Sequence, residues 1–579
     1  MTGLEFELLC EGLPVRQKPT RESFPSNAKA VKLWKEALPL ANSGATARLL
    51  YNGLKDLNAL EVEPIQRFEI LELMRHPVSF VVSGMDKHII GQPLPLPQQK
   101  KQIASVLRDF HRELSLGYRI VLADLCAPKG AVPFLRGKYA ATSVARGIYH
   151  TGQQFLKSYL AYGEIPQHAW RDLHMFMAYA VTQHLHEKSV QDAHLKGLLI
   201  TPQNLYLQAI LLFITNPYRL TPKELADVEN AALVWSFYTE LRFDGGGEGV
   251  FAIDPLLDAP PGVRQEVERP WRLNASKAVH VIDELLNHAS ERTVVAKSKF
   301  GASPPLNIDL VKRLRHAWGF SGERRFQRLP AGHRMDTAIG LHAAHHLLAG
   351  DKDLNTFVHG LSAAVIVSDK ERAAAWASAS SEQSKPTVVS VRVVDQSLGG
   401  YRIIWENAQN LRARVGELVA LSQLVEEGDD DPRDWLLGVI RWLKCGASES
   451  LEAGIELLSR QAEAVVVRSL SAATSSKVIH RALLLAPLAL ESPGEPTLLV
   501  PAVMDEREQA ELLRMPDPMA LKEYALCAPL SQVQLIENSG SYKHLGYQSE
   551  LGLDPDAALP VGVERAPTQA ELDAMWSSV

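Results

Sequence analysis

Near residue 323 the spacing of apolar side chains changes from steps of three and four to steps of two. No other feature limits the possible folds as much. Before that point, Leu49, Leu50, Leu54, Leu57 and Leu60 recur at helical spacing, as do Ile103, Val106, Leu107, Phe110 and Leu114, and Ile148, Phe155, Leu156, Tyr159 and Leu160. Each set falls on one face of a 3.6-residue period, so helix follows helix without clear strands between. After it, Met335, Thr337, Ile339 and Leu341 alternate with polar or small residues, as a half-buried strand would. Strand-like runs then come at 387–394, 401–405, 415–421, 435–442, 452–458 and 464–467, with more near 497–503 and 533–537. Short strands in quick succession predict an antiparallel barrel or sandwich. The expected fold class is therefore multidomain α+β: an N-terminal all-α bundle or short solenoid, then a C-terminal antiparallel barrel or sandwich.

At 579 residues the chain is too long for one core. The expected organisation is an irregular lead-in over 1–25 and mainly helical structure over 26–320, with room for a small β insertion near 244–262. The barrel or sandwich follows over 323–470, carrying an insertion at 342–385, then a further β-rich segment over 471–550 and a tail over 551–579. Pro64 and Pro77 should bracket a short segment. The most apolar window, Leu205 to Ile214, is too short to span a bilayer and reads as a buried helix.

Charge narrows the partners. The chain has 61 Lys and Arg against 67 Asp and Glu, whereas a protein that coats nucleic acid polymers is usually basic. Cys10, Cys126, Cys445 and Cys527 lie far apart with no CxxC pair, which fits a reducing, cytoplasmic setting without a disulfide framework. The acidic N-terminus lacks the basic and apolar regions of a signal peptide, and no membrane insertion is expected.

Two stretches carry recognition chemistry. Asp395-Gln396-Ser397-Leu398-Gly399-Gly400 lies between strand-like flanks, and Arg324, Arg325 and Arg328 fall within five positions upstream. A guanidinium is a planar fork that matches phosphate oxygens or the O6/N7 edge of guanine. Asp395 can accept from a guanine N1–H or N2–H2, Ser397 can donate or accept beside it, and Gly400 leaves backbone open to a flat ligand. Together they suit an anionic, guanine-containing ligand. RxxxR alone is unspecific, since Arg108 and Arg112 repeat it on a helix face.

These residues resemble the PilZ family of bacterial cyclic di-GMP receptors, whose six-stranded antiparallel barrel has an RxxxR motif just ahead of it and a D/NxSxxG motif on an early strand. Arg324 and Arg328 stand at the first motif; Asp395, Ser397 and Gly400 stand at the second. The resemblance implies a barrel of PilZ type in which the arginines clamp phosphates and guanine edges and the second motif holds a guanine. Arg325 is placed to add a phosphate contact. The run Gly438 to Trp442 resembles a strand that sets an aromatic against the ligand, although Trp442 serves equally well as a core residue. The resemblance covers 323–468. Arg328 and Asp395 stand further apart than is usual in the family, and the helical region resembles no family that its residues identify.

Rival sites are weaker. His342, His345 and His346 cluster near Asp351, and His184 and His186 precede Glu187, without an HExxH or a completing ligand set. The glycine-rich run Asp244 to Gly249 lacks the Lys-Ser/Thr ending of a P-loop. No GxSxG elbow is present, nor the GG-D/E-F or EAL runs of enzymes that make or destroy the messenger. The expectation is a non-enzymatic cyclic di-GMP receptor, without cofactor or metal, that signals through its helical domain to a protein partner. The alternatives are an interaction scaffold with a non-binding PilZ-like barrel, or an enzyme with a histidine metal site.

Overall fold

The computed structural model describes residues 3–195, 198–246, 249–263, 270–289, 292–298, 301–319, 327–362, 385–408, 411–424, 433–446, 449–471, 476–488, 495–514 and 527–548. The chain divides into two compact units. One gathers Met1–Asp336, Val389–Gly416 and Val439–Glu456; the other gathers Thr337–Val388, Glu417–Gly438 and Leu457–Val579.

The first unit opens with helices α1 (Leu4–Cys10), α2 (Ala28–Glu36), α3 (Ser43–Asn58), α4 (Pro64–Asp86), α5 (Gln98–Leu125), α6 (Gly137–Leu160), α7 (Ala169–Thr182), α8 (Pro202–Ile214) and α9 (Pro222–Trp235). Helix α5 packs along α6, with α3 and α4 against α5 and with α7 and α8 against α6. One apolar core joins Phe6 and Leu9 to Trp235, Leu314 and Trp318. Pro77 does not break α4, which runs 23 residues through it. Proline removes one hydrogen bond there, at about 3 kcal/mol. Burial of Ile70, Leu71, Met74, Val78, Val81 and Val82 along the same helix offsets it.

Helix α8 is buried nearly all round, from Leu205 to Leu212. A capping box of Thr201 and Asn204 starts it, and Asn216, left-handed at φ 58°, turns the chain out of it. Pro217–Arg219 form one 3-10 turn before a second capping box, Thr221 with Glu224, starts α9. These caps fix the path of the α8–α9 connection. A four-stranded antiparallel sheet follows, in the order 240–242, 271–274, 251–253, 262–263. Helices α10 (Ser276–Asn287) and α11 (Ile308–Gly319) then pack on each other.

The barrel comprises β1 (Leu329–Pro330), β2 (Arg334–Ile339), β3 (Val389–Ser397), β4 (Gly400–Trp405), β5 (Leu418–Gln423), β6 (Leu436–Cys445) and β7 (Leu451–Ser459). The strand order is β1-β3-β2-β5-β6-β7-β4, and β4 also pairs with β3. Six antiparallel strands therefore close on themselves, the expected fold, with β1 paired to β3 outside the ring. Closure leaves no long open edge. Met335 to Ala338 are all buried, so β2 is covered on both faces rather than on alternate residues.

The second unit contains α12 (Leu341–Leu348), α13 (Leu354–Ser362) and a seven-stranded sheet. Its strands are β8 (Ala462–Ser471), β9 (Ser476–Leu485), β10 (Thr497–Pro501), β11 (Ala510–Leu513), β12 (Cys527–Pro529), β13 (Ser531–Asn538) and β14 (Tyr542–Gln548). Period-two alternation along β8 serves two cores. Ala464 and Val466 face Phe357, Val358 and Leu361 of α13, while Val465 and Val467 face Leu498, Val500 and Leu545. The run 464–467, read from sequence alongside the barrel, thus pairs with β9 and β11. The ring is already closed by the pairing of β7 with β4.

Candidate ligand-binding site

The two motif stretches meet through strand pairing. β1 runs antiparallel to the end of β3, with Pro330 opposite Asp395 and Leu329 opposite Gln396. Arg328, one residue earlier, donates from Nη1 to Asp395 Oδ1 at 2.6 Å across 67 positions of sequence. β3 and β4 form a hairpin whose two-residue loop is Leu398-Gly399, with Ser397 opposite Gly400. Ser397 Oγ donates to Gly400 O at 3.4 Å within that turn.

A bulge aims Asp395. Val393 pairs with Ile403 and Asp395 pairs with Arg402, so Val394 is an extra residue on β3. Val391 and Val393 are buried in the barrel, and strict alternation would send Asp395 inward after them. The bulge puts it beside Arg402 instead. Arg402 Nη1 lies 3.6 Å from Asp395 Oδ2, and its Nε donates to Glu452 on β7. Arg402 in turn is opposite Gly454 of β7. The Trp442 indole lies over Gly454, where a Cβ would come within 1.8 Å of Nε1. One row of side chains thus crosses β3, β4, β7 and β6: Asp395, Arg402, Gly454, Trp442.

Arg402 and Trp442 of this row stand in the wall of an open pocket of about 500 Å3, lined by Asn216, Arg219, Arg328, Arg402, Trp442, Lys444 and Glu452. Four lining side chains are cationic and one is a carboxylate, so the pocket favours an anion. Trp442 is half-buried, which places it in the wall rather than in the core. Arg328 lines the pocket directly, and Asp395 sits behind it, holding two of the lining arginines. Gly400 answers to packing: a Cβ there would meet Ile455 O at 2.0 Å. Arg324 and Arg325 lie outside the described residues.

Several lining residues escaped the sequence reading. Arg402 and Glu452 belong to strands whose register the sequence does not reveal. Asn216 and Arg219 come from the α8–α9 connection, over a hundred positions before the motifs, and no local pattern marks them. Protein packed around Arg219 lowers its pKa, Arg441 and Arg313 lower it further, and Glu456 partly offsets them. Lys444 pairs with Glu164 at 3.1 Å.

The histidine rivals have structural partners. His345 Nε2 donates to Val465 O at 3.1 Å, and burial pushes its pKa down to about 4. Arg481 donates to His342 Nδ1, and His346 lies 3.7 Å from Asp351. The His186 ring packs edge-on to Phe243. Among the described residues, no group of three or more His, Cys, Asp or Glu side chains is placed to hold a metal ion. Nor is any helix among them long and apolar enough to cross a membrane.

Comparison with known families bears on both regions. Residues 250–387 and 362–464 match the family described as the middle PilZ domain of the cyclic-di-GMP receptor FimW, and residues 29–244 match the N-terminal domain of that receptor. The helical region, for which the sequence reading named no family, is thus matched as well. The PilZ match falls in two pieces that overlap at 362–387, beside the extra length between the motifs. The chain is also 24% identical to the cyclic-di-GMP receptor FimW of Pseudomonas aeruginosa strain PAO1, over 97% of this chain and 98% of that relative. The helical region and the barrel, in this order along the chain, thus match the N-terminal domain and the middle PilZ domain of the cyclic-di-GMP receptor FimW.

Proposed function

We propose that this chain is a cytoplasmic, non-enzymatic cyclic di-GMP receptor that binds its ligand at the barrel pocket and signals through the helical region to a protein partner. The observation that carries the reading is the convergence of Arg328, Arg402 and Trp442 on one cationic pocket, with Asp395 behind it pairing both arginines. Each phosphodiester of the ligand brings one negative charge, and the lining guanidinium groups can fork onto its oxygens. Trp442 offers a flat face to a guanine. Arg324 and Arg325 stand just ahead of Arg328 in the sequence, and the reading includes them as further cations for the ligand.

Binding has to exchange the Arg328–Asp395 pair. Arg328 turns to a phosphate or to guanine O6/N7, and Asp395 then accepts from guanine N1–H and N2–H2. The magnitudes favour the exchange. The two side chains are 37% and 17% exposed, so their pair is worth about 0–1 kcal/mol. Charge-assisted hydrogen bonds in a covered site are worth about 1.5–3 kcal/mol each. Ser397 and Gly400 support the turn that carries Asp395, and Gly400 lets β4 close against β7.

Titration calorimetry of the full chain with cyclic di-GMP tests the reading. Micromolar or tighter binding is expected, weakened about 10-fold or more in Arg328→Ala and Asp395→Ala. Absent heat with the unaltered chain would instead favour a scaffold whose barrel does not bind.

A further inference from the structure

Arg219 differs from the other cations of the pocket. Arg328 is held by Asp395, Arg402 by Glu452, and Lys444 by Glu164. Among the described residues, the Arg219 side chain has no hydrogen bond or ion pair, although it stands exposed in the pocket wall. Its charged neighbours are Arg441, Glu456 and Arg313, of which Arg441 is taken by Glu456 and Arg313 by Glu224. Asn216 lines the same wall, and its amide likewise has no side-chain hydrogen bond among the described residues. A guanidinium without a hydrogen-bonded partner beside an amide without one, both on an anion-favouring pocket, is a contact set suited to a phosphate.

We propose that Arg219, with Asn216 beside it, contacts a phosphate of the bound cyclic dinucleotide, so that the ligand bridges the barrel strands and the α8–α9 connection. This rests on the reading of the pocket as the cyclic di-GMP site and deepens it, since it names where the helical region senses the ligand.

The connection is built to pass on such a contact. Arg219 N donates to Asn216 O at 2.9 Å, and Leu220 N to Pro217 O at 3.0 Å, so the turn moves as one piece. Tyr162 OH donates to Leu220 O at 2.7 Å and Tyr218 OH to Gly163 O at 2.7 Å, which ties the turn to the end of α6. Cys445 N on β6 donates to Tyr162 O at 2.7 Å. A ligand that draws Arg219 toward the barrel therefore pulls on the ends of α6 and α8 and on the start of α9. A ligand biases a conformation only through contacts that differ between states, and Arg219 is the contact that only the bound state can satisfy.

The test uses the full chain with cyclic di-GMP, in calorimetry and in hydrogen exchange of residues 214–222. Expected are a 10- to 100-fold weaker affinity in Arg219→Ala, partial recovery in Arg219→Lys, and a smaller loss in Asn216→Ala. Ligand should slow exchange across 214–222 in the unaltered chain, and less so in Arg219→Ala at saturating ligand. Unaltered unfolding midpoints in Arg219→Ala and Arg219→Lys would confirm that this exposed side chain is not needed for folding. If Arg219→Ala binds as tightly as the unaltered chain and exchange at 214–222 ignores the ligand, while Arg328→Ala loses affinity, the bridge is refuted and the barrel site stands. If the unaltered chain does not bind, both fall.

Discussion

Gly454 offers a way to remove one wall of the pocket without touching a ligand-contacting residue. A Cβ at this position would lie 1.8 Å from Trp442 Nε1, 2.4 Å from Cε2 and 2.5 Å from Cδ1. Ordinary heavy-atom contacts are about 3.5–4.0 Å, so in Gly454→Ala the indole has to withdraw by about 1.5–2 Å. The three nearest atoms all belong to one half-buried side chain, which can rotate away while the strands stay in register. The barrel should survive and the stacking surface should not. Stacking of a base on an aromatic ring is worth about 1–3 kcal/mol, so cyclic di-GMP should bind about 5- to 150-fold more weakly. Calorimetry on Gly454→Ala, Trp442→Ala and the double variant decides the matter. Both single changes remove the same contact, so the double variant should bind no worse than Trp442→Ala alone. Wild-type affinity in Gly454→Ala, or losses that simply add, would show that Trp442 is not the stacking face.

Other outcomes follow from the same geometry. In Gly400→Ala the new methyl would meet the Ile455 carbonyl oxygen at 2.0 Å, a backbone atom that no rotamer change can move. Urea unfolding should show a loss of about 1–3 kcal/mol; unchanged stability with lost binding would mean that the glycine serves the ligand instead. Asp395→Asn should alter stability by less than about 1 kcal/mol, because its pair with Arg328 is partly exposed, yet weaken cyclic di-GMP about 10-fold or more by calorimetry. His174 is buried, with Nε2 donating to Ala259 O at 2.9 Å and Nδ1 2.8 Å from Tyr206 OH, and burial pushes its pKa down to about 4. Its folded pKa lies below the unfolded value of about 6.5, so the stability it permits is whole above that value and is lost as pH falls toward 4, by about 2 kcal/mol at pH 5. Unfolding of the helical region at pH 7 and pH 5 should show that loss, and a smaller one in His174→Gln.

The change of period near 323 was enough to place a β domain after a helical region, because helices and strands bury their side chains at different spacings, and the motif resemblance made that domain a barrel. The pairing of Arg328 with Asp395 was legible for a related reason. Each stands near the end of a strand, and their opposite charges and shared fit to one kind of ligand led to the expectation that the two stretches meet. Pro77 misled because its cost is local, whereas the burial that offsets it comes from α5 and from the rest of α4. The direction of Asp395 was hidden because a bulge is a property of two strands, and Val394 looks like any other strand residue. Closure hid the place of 464–467, since a strand cannot join a ring whose last partners have already met. Arg219 was invisible for the plainest reason: its significance lies in what surrounds it, and none of that is near it in sequence.

Comparing two cyclic dinucleotides tests the central claim most directly. Cyclic di-AMP has the same phosphates and sugars, but adenine presents a donor at N6 where guanine presents O6, and it lacks the N1–H and N2–H2 that Asp395 would receive. Titrating the full chain with each under one salt concentration separates charge attraction from guanine reading. The account predicts micromolar or tighter cyclic di-GMP binding and a preference over cyclic di-AMP of about 100-fold or more. Equal affinity for the two, or binding of neither, would contradict it.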